Sequence, residues 1–261
     1  MATSKAFVPT MGALHAGHLS LIELAKKYSD EIVVSIFVNP LQFENPEDLE
    51  RYPRNIEKDI ELAKSAGATE IWAPTVDEIY PSKNIEIIYA GAVGELFEGN
   101  HRTGHFDGVL TVVDRLFKKV KPTHAIFGEK DFQQLFLIEK WVKESAIPVE
   151  IIRGPLVRDS DGLALSSRNV RLDSASRRAA LVIPRALIAA SKEKDLDSAR
   201  RVLHQILLQE PLFTIDYAEI IDEESFEPAS SSSRQVRALV AGWINGIRLL
   251  DNMQMNQEAV R

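Results

Sequence analysis

His15 and His18, three apart with Gly17 between them, lie in the stretch P-T-M-G-A-L-H-A-G-H-L-S-L-I from Pro9 to Ile22. Imidazoles can donate hydrogen bonds or carry charge near neutral pH, and both properties suit a phosphate. The elements around them add to that chemistry. Ala6, Phe7 and Val8 form a short apolar run, and Leu14, Leu21, Ala25 and Tyr28 recur at helical spacing, so the segment reads as strand, tight turn, helix. A helix start presents free N–H groups and the positive end of its dipole, which favours an anion. Gly12 and Gly17 let a ligand come close to the backbone. A purely structural role has to explain both histidines and the glycine at once. Zinc is the rival chemistry, but it needs further Cys, His or carboxylate ligands at workable spacing, and none lie nearby.

Three more polar clusters follow apolar runs. Glu31 to Val38 is a β-branched run suited to a parallel strand buried on both faces. It ends in N-P-L-Q-F, which places Asn39 and Gln42 beyond a carboxyl end, where an open α/β sheet holds its ligand. The amide of Gln42 both donates and accepts, suiting a polyol or hydroxy acid, although a solvated loop glutamine reads the same way. His124 to Phe127 runs into G-E-K-D-F-Q-Q-L, where Lys130 is a compact cation for phosphate oxygens and Asp131 an acceptor for ribose hydroxyls. Taken alone, E-K-D is also an ordinary capped helix start. Val149 to Ile152 leads to a loop carrying Ser166, Ser167 and Arg168, a set able to clamp a polyphosphate or simply to face solvent. His101, Arg102 and His105 serve an anion or a subunit contact equally well.

Composition sets the frame. The 261 residues are 45% hydrophobic and 26% charged, an ordinary globular balance with room for two domains. Nothing resembles a membrane span or a secretory signal, and a net charge of −7 argues against wholesale nucleic-acid binding. With no cysteine there is neither disulfide nor thiol chemistry, which fits a cytoplasmic home. Asn55 to Ala66 reads as an amphipathic helix closed by Gly67, Thr69 to Ala73 and Ile85 to Tyr89 as strands, and Val109 to Phe117 as a buried helix. Beyond Asn169 the pattern changes: Asp173 to Glu193 is helical with a kink expected at Pro184, Ser198 to Gln209 is a second helix, and Phe213 to Ile221 a strand. Val236 to Leu250 splits at Asn245-Gly246, a hairpin signal. The expected architecture is α/β: a Rossmann-like parallel sheet flanked by helices over residues 1–165, then a smaller α+β domain over 166–261 that acts as a lid.

Five stretches carry a resemblance. P-T-M-G-A-L-H-A-G-H, F-V-N-P-L-Q-F, H-F-D-G-V-L-T-V-V, F-G-E-K-D-F-Q-Q-L and D-G-L-A-L-S-S-R-N, in this order and spacing, resemble the pantoate:beta-alanine ligases of the nucleotidylyl-transferase superfamily, whose signature is H-x-G-H. Even I-R-L-L-D-N near the end is similar to the family's last strand. The resemblance implies an ATP- and Mg²⁺-dependent ligase: pantoate attacks the α-phosphate, pyrophosphate leaves, and beta-alanine displaces AMP to give pantothenate. It implies that Met11, Gly12, Ala13, Leu14, His15, Ala16, Gly17 and His18 line the ATP site, with His15, His18, Lys130 and Arg168 in the chemistry and His18 matching the proton donor. Gly128, Glu129, Lys130 and Asp131 match the ribose and phosphate segment, Val157 an adenine contact, and Leu165, Ser166, Ser167 and Arg168 the phosphate clamp. Gln42 and Gln134 match the pantoate glutamines, and Gln42 also a beta-alanine contact. The metal ligands are left unknown, with Asp59 a weak candidate, and a homodimer is implied. Two departures stand out: family members carry an extra helix before the first strand, and Arg171 replaces a tyrosine after S-S-R-N. A nucleotidyltransferase that stops at an adenylylated product is the alternative enzyme, and a nucleotide-binding assembly protein the alternative class.

Overall fold

The computed structural model describes residues 4–43, 46–50, 52, 54–82 and 84–255, which fall into two compact units, Met1–Leu156 and Val157–Arg261. The first unit holds β1 (Lys5–Thr10), β2 (Glu31–Ile36), β3 (Glu70–Trp72), β4 (His124–Gly128) and β5 (Glu150–Gly154). Its helices are α1 (Ala16–Ala25), α2 (Pro46–Glu50), α3 (Ile56–Ala66), α4 (Val76–Ile79), α5 (Glu98–His101), α6 (His105–Val120) and α7 (Phe132–Glu144). The strands lie in the order β3-β2-β1-β4-β5, all parallel. Strand β1 is central, so Ala6, Phe7 and Val8 are fully buried, and the chain leaves β1 toward β2 on one side while β4 pairs on the other. That reversal opens a crevice at the carboxyl ends of β1 and β4, where open α/β sheets bind ligands. One face of the sheet packs Ala6, Val8, Ile32, Val34 and Ile126 against Ile22, Ala25 and Ala63 of α1 and α3. On α6, Phe117 meets Phe7 edge-on with ring centroids 6.3 Å apart.

One expected strand gives way to loop. Ile85 to Tyr89 forms no strand: Ile88 N donates to Thr111 Oγ1 at 2.9 Å, and Ala90 N to Asp107 Oδ1 at 2.8 Å. Side chains of α6 satisfy the amides that a neighbouring strand would otherwise have to satisfy. Asn55 does cap α3, accepting from Lys58 N, and Gly67 closes it with φ +113.

The second unit comprises α8 (Ser174–Ala180), α9 (Val182–Ala190), α10 (Leu196–Leu207) and an antiparallel sheet of β6 (Thr214–Asp222), β7 (Val236–Ile244) and β8 (Ile247–Gln254) in that order. Leu187, Leu203, Ile220, Val240 and Ile244 are at the heart of its core. The helix break falls at Leu181 rather than at Pro184. Proline lacks an N–H and its ring crowds the carbonyl four residues back, at Ala180, so the interruption precedes it and Pro184 sits in the first turn of α9. Asn245 and Gly246, φ 47 and 73, make the two-residue turn between β7 and β8. Residues 157–165, grouped above with the first domain, belong to this unit, where Arg158 is paired with Asp251 of β8.

Candidate functional site

The turn after β1 is held from a distance. Asp59 of α3, 3% exposed, accepts from Ala13 N at 2.9 Å and Leu14 N at 2.8 Å, one bond to each carboxylate oxygen. Thr10 Oγ1 donates to Ser35 O at 2.7 Å and accepts from Gly12 N at 3.3 Å. Gly12 has φ +84, and a Cβ there would lie 2.9 Å from Asp59 Oδ2, so the close approach of the carboxylate requires glycine. Asp59, the weak metal candidate of the sequence, gives both its oxygens to the backbone. Among the described residues no cluster of three His, Cys, Asp or Glu could hold a metal ion.

The pinned turn delivers His15 as the N-cap of α1 and His18 one turn into it. His15 Nδ1 accepts from Gly17 N at 3.2 Å, and His18 Nδ1 accepts from His15 N at 3.3 Å, a capping box with imidazoles in place of hydroxyl and carboxylate. A ring nitrogen that accepts carries no proton, so each neutral ring bears its hydrogen on Nε2 and presents a fixed N–H donor. The ring centroids are 4.1 Å apart. Burial lowers His15 to about 4, helped by the Lys130 charge, and lowers His18 to about 3, helped by His15. Of the two roles open to these side chains, donor or cation, the free protein adopts the donor.

Neutral burial has a consequence for stability. The histidines titrate near 6.5 when unfolded and near 4 and 3 when folded. As pH falls below 6.5 the unfolded chain takes up protons that the folded chain refuses, so stability is lost from there down to the folded values and is independent of these groups above it. Each group changes the unfolding free energy by roughly 1 kcal/mol per pH unit in that window. Denaturant unfolding between about pH 7 and 5 is expected to show this decline, and a His15→Gln, His18→Gln double variant to flatten it. An unchanged slope in that variant would place the acid sensitivity elsewhere.

At the end of β4, Glu129 to Asp131 form a single turn of 3-10 helix that runs into α7. Lys130 lies 3.4 Å from Asp131 Oδ1, and both charges bear directly on His15 and His18. Two imidazoles, an ammonium and an exposed carboxylate therefore share the crevice between β1 and β4. A cavity of about 320 Å³ lies beyond β1 and β2, with Met11, Gly12, Phe37, Val38 and Asp59 in its wall.

Gln42 is the most elaborately supported residue of the site. It ends the 3-10 turn Pro40–Gln42 and is 8% exposed. Asn39 Nδ2 donates to Gln42 Oε1 at 3.0 Å and to Gly108 O at 3.0 Å, while Asn39 Oδ1 accepts from Tyr80 Oη at 2.8 Å and from Leu41 N at 3.2 Å. Asn39 is thus fully engaged as the support of Gln42. The turn lies so close to α6 that a Cβ on Gly108 would come within 2.2 Å of Leu41 O. His105 Nδ1 and Arg102 Nη2 donate to Gln42 O at 3.0 and 3.3 Å, and Arg102 Nη1 donates to His105 Nε2 at 3.0 Å. Burial and the Arg102 charge keep His105 neutral, lowered to about 4. These two residues, open to either an anion or an interface in the sequence, brace the Gln42 turn. Gln134 is half-buried on α7 and its amide makes no hydrogen bond among the described residues, whereas Gln133 beside it is buried and tied to Val93 O, Leu96 O and Glu98 N.

In the second unit, Val157 and Leu165 are adjacent, with Leu165 N donating to Val157 O at 3.0 Å. Ser166 caps the 3-10 turn Ser167–Arg171 by accepting from Arg168 N, and Asn169 Nδ2 donates to Ala164 O at 2.9 Å. The sequence missed Asp59 as the holder of the first turn, Gly108, and the supports of Gln42. Only Gly108, in a helix full of apolar residues, carried a local signal: a glycine that helix propensity does not explain.

A family model described as pantoate-beta-alanine ligase matches residues 2–254. Curated relatives named pantothenate synthetase include one from Caldicellulosiruptor bescii, 44% identical over 95% of this chain and 89% of the relative, and one from Aquifex aeolicus, 44% identical over 95% and 90%. Among solved structures, pantothenate synthetase from Thermus thermophilus superposes with a TM-score of 0.93 at 43% identity, covering 96% of this chain and 93% of that one. The pantoate-beta-alanine ligase of Francisella tularensis, solved with beta-gamma ATP and beta-alanine, gives 0.80 at 35% identity, covering 97% and 90%. With its sheet order, its paired histidines and its full-length similarity in agreement, the chain belongs to the pantoate-beta-alanine ligase family.

Proposed function

We propose that this chain joins pantoate to beta-alanine at the expense of ATP, through a pantoyl adenylate, releasing pyrophosphate and then AMP. The observation that carries the reading is the locked pair of histidines, whose Nε2–H groups are fixed by backbone bonds to Nδ1 beside Lys130 at the sheet's switch point. Attack of a carboxylate on the α-phosphorus builds negative charge on the phosphoryl oxygens and the departing pyrophosphate. Preplaced donors that need no reorganisation stabilise it, and no nucleophilic side chain is required. In this reading His15, His18 and Lys130 meet the phosphates, Gly128 to Asp131 flank the ribose, and Val157 and Leu165 to Arg168 supply the adenine contact and the phosphate clamp. The free amide of Gln134 and the Nε2 of Gln42 are suited to the hydroxyls and carboxylate of pantoate. Once the acyl adenylate exists, the beta-alanine amine attacks its carbonyl carbon, AMP leaves with the bonding electron pair, and the ammonium so formed loses its proton.

The described residues build no cage for Mg²⁺, and Asp59 is committed to the backbone. In this reading Mg²⁺ enters as the ion that nucleoside triphosphates carry, bound largely by phosphate and water. No helix among the described residues is long and apolar enough to cross a membrane. A homodimer working in the cytoplasm completes the reading, supported by family membership alone. The test is product analysis with Mg-ATP, pantoate and beta-alanine, each left out in turn: AMP and pantothenate are expected only with all three, and AMP formed with a different acceptor would reassign the substrate.

A further inference from the structure

Val157 and Leu165, read above as nucleotide contacts, close a short hairpin that ion pairs grip from two sides, and Ser166 to Arg168 follow it directly into the 3-10 turn Ser167–Arg171. Asp159 N donates to Leu163 O at 2.8 Å and Leu165 N to Val157 O at 3.0 Å, so the segment doubles back around Gly162, whose φ is +93. Its stem is held from β8. Arg158 Nη1 and Nη2 donate to Asp251 Oδ2 and Oδ1 at 2.6 and 3.0 Å, a bidentate fork, and the same guanidinium reaches Gly162 O at 3.1 Å and Asn252 O at 3.3 Å. Asp251 is 4% exposed, whereas the Arg158 side chain stays partly open to solvent. Its tip is held from α8, where Arg177 donates to Asp159 Oδ2 at 2.6 Å and Asp161 Oδ2 at 2.7 Å. Planar bidentate pairs fix direction as well as distance. A loop ordered before its ligand arrives gives up no conformational freedom on binding, whereas a loose one does.

We propose that Arg158 with Asp251, and Arg177 with Asp159 and Asp161, are positioning residues for the nucleotide. They present Val157 and Leu165 to Arg168 in one arrangement, and so set the affinity for ATP while leaving pantoate and beta-alanine untouched. The proposal rests on the reading of Val157 and Leu165 to Arg168 as ATP contacts.

The experiment compares Arg177→Met, Asp251→Asn and Arg168→Ala in the full chain, reading KM for each of the three substrates and the thermal midpoint. Arg177 is a third exposed, so Arg177→Met is expected to fold normally. It should raise KM for ATP about tenfold and leave the other two KM values within about twofold. Asp251→Asn is expected to move ATP in the same direction and also to lower the midpoint, because it removes the buried counter-charge of the Arg158 guanidinium and turns one of its two acceptors into a donor. If Arg168→Ala raises KM for ATP while Arg177→Met and Asp251→Asn do not, the clamp stands and the ion pairs are merely structural, which overturns the proposal. If Arg168→Ala also leaves KM for ATP unchanged, the clamp reading itself falls and the proposal with it.

Discussion

Replacing His18 with alanine is expected to lower kcat by about 10² to 10⁴ with the fold intact. The size of the loss follows from geometry. His18 Nδ1 is bound to His15 N, so its Nε2–H needs no search for direction when charge develops on the phosphate. The same bond gives His18 a second duty as half of the cap of α1. Alanine therefore removes a donor and weakens a helix start, the latter costing about 1 kcal/mol. His18→Asn separates the two duties, since its short amide oxygen can still accept from the backbone while its nitrogen falls short of where Nε2 stood. The account expects His18→Asn to restore the thermal midpoint but not kcat. Near-normal kcat in either variant would remove His18 from the chemistry.

The second large effect is expected at Asp59, far from any reacting atom in sequence. Both carboxylate oxygens accept backbone N–H groups of the turn that carries the histidines. In Asp59→Asn one oxygen becomes an NH₂ that faces an N–H, donor against donor. A buried amide left unsatisfied costs about 1 to 3 kcal/mol, and the turn must shift to relieve it. Because displacement of a positioned group by about an ångström costs on the order of 10²-fold, kcat/KM for ATP is expected to fall by that amount. Chemical denaturation and steady-state kinetics on the same preparation measure both losses. Raising Mg²⁺ is expected to restore neither, since both carboxylate oxygens already accept backbone N–H groups of the turn. Full rescue by Mg²⁺ at unchanged stability would return Asp59 to the metal.

What was legible in the sequence was local. Strand β1, its glycine turn and α1 lie in one short continuous stretch whose periodicity and turn chemistry agree, and the same holds for the Asn245-Gly246 hairpin and the Gly67 stop. The paired histidines and the G-E-K-D segment were readable because each follows an apolar run directly, and the parallel order of β1 and β4 then brings them together. What escaped depends on partners distant in the chain. Asp59 and Ala13 are 46 residues apart, and a carboxylate in an amphipathic helix full of charge gives no sign that it faces inward. Gln42 owes its place to Gly108, 69 residues from Asn39, and to His105, 63 residues from Gln42 itself. Ile85 to Tyr89 has strand composition, yet α6 takes the Ile88 amide, and that of Ala90 just beyond, in place of a strand partner. The charge state of the histidines was also beyond sequence, because it is burial that keeps them neutral.

The most direct test of the central claim is pyrophosphate release in a single turnover with Mg-ATP and pantoate, before any beta-alanine is added. The account predicts about one equivalent of pyrophosphate per active site, with no free AMP, and then AMP and pantothenate together when beta-alanine is supplied. Pyrophosphate that appears only after beta-alanine is present, or that forms without pantoate, would contradict an adenylate built on pantoate in this site.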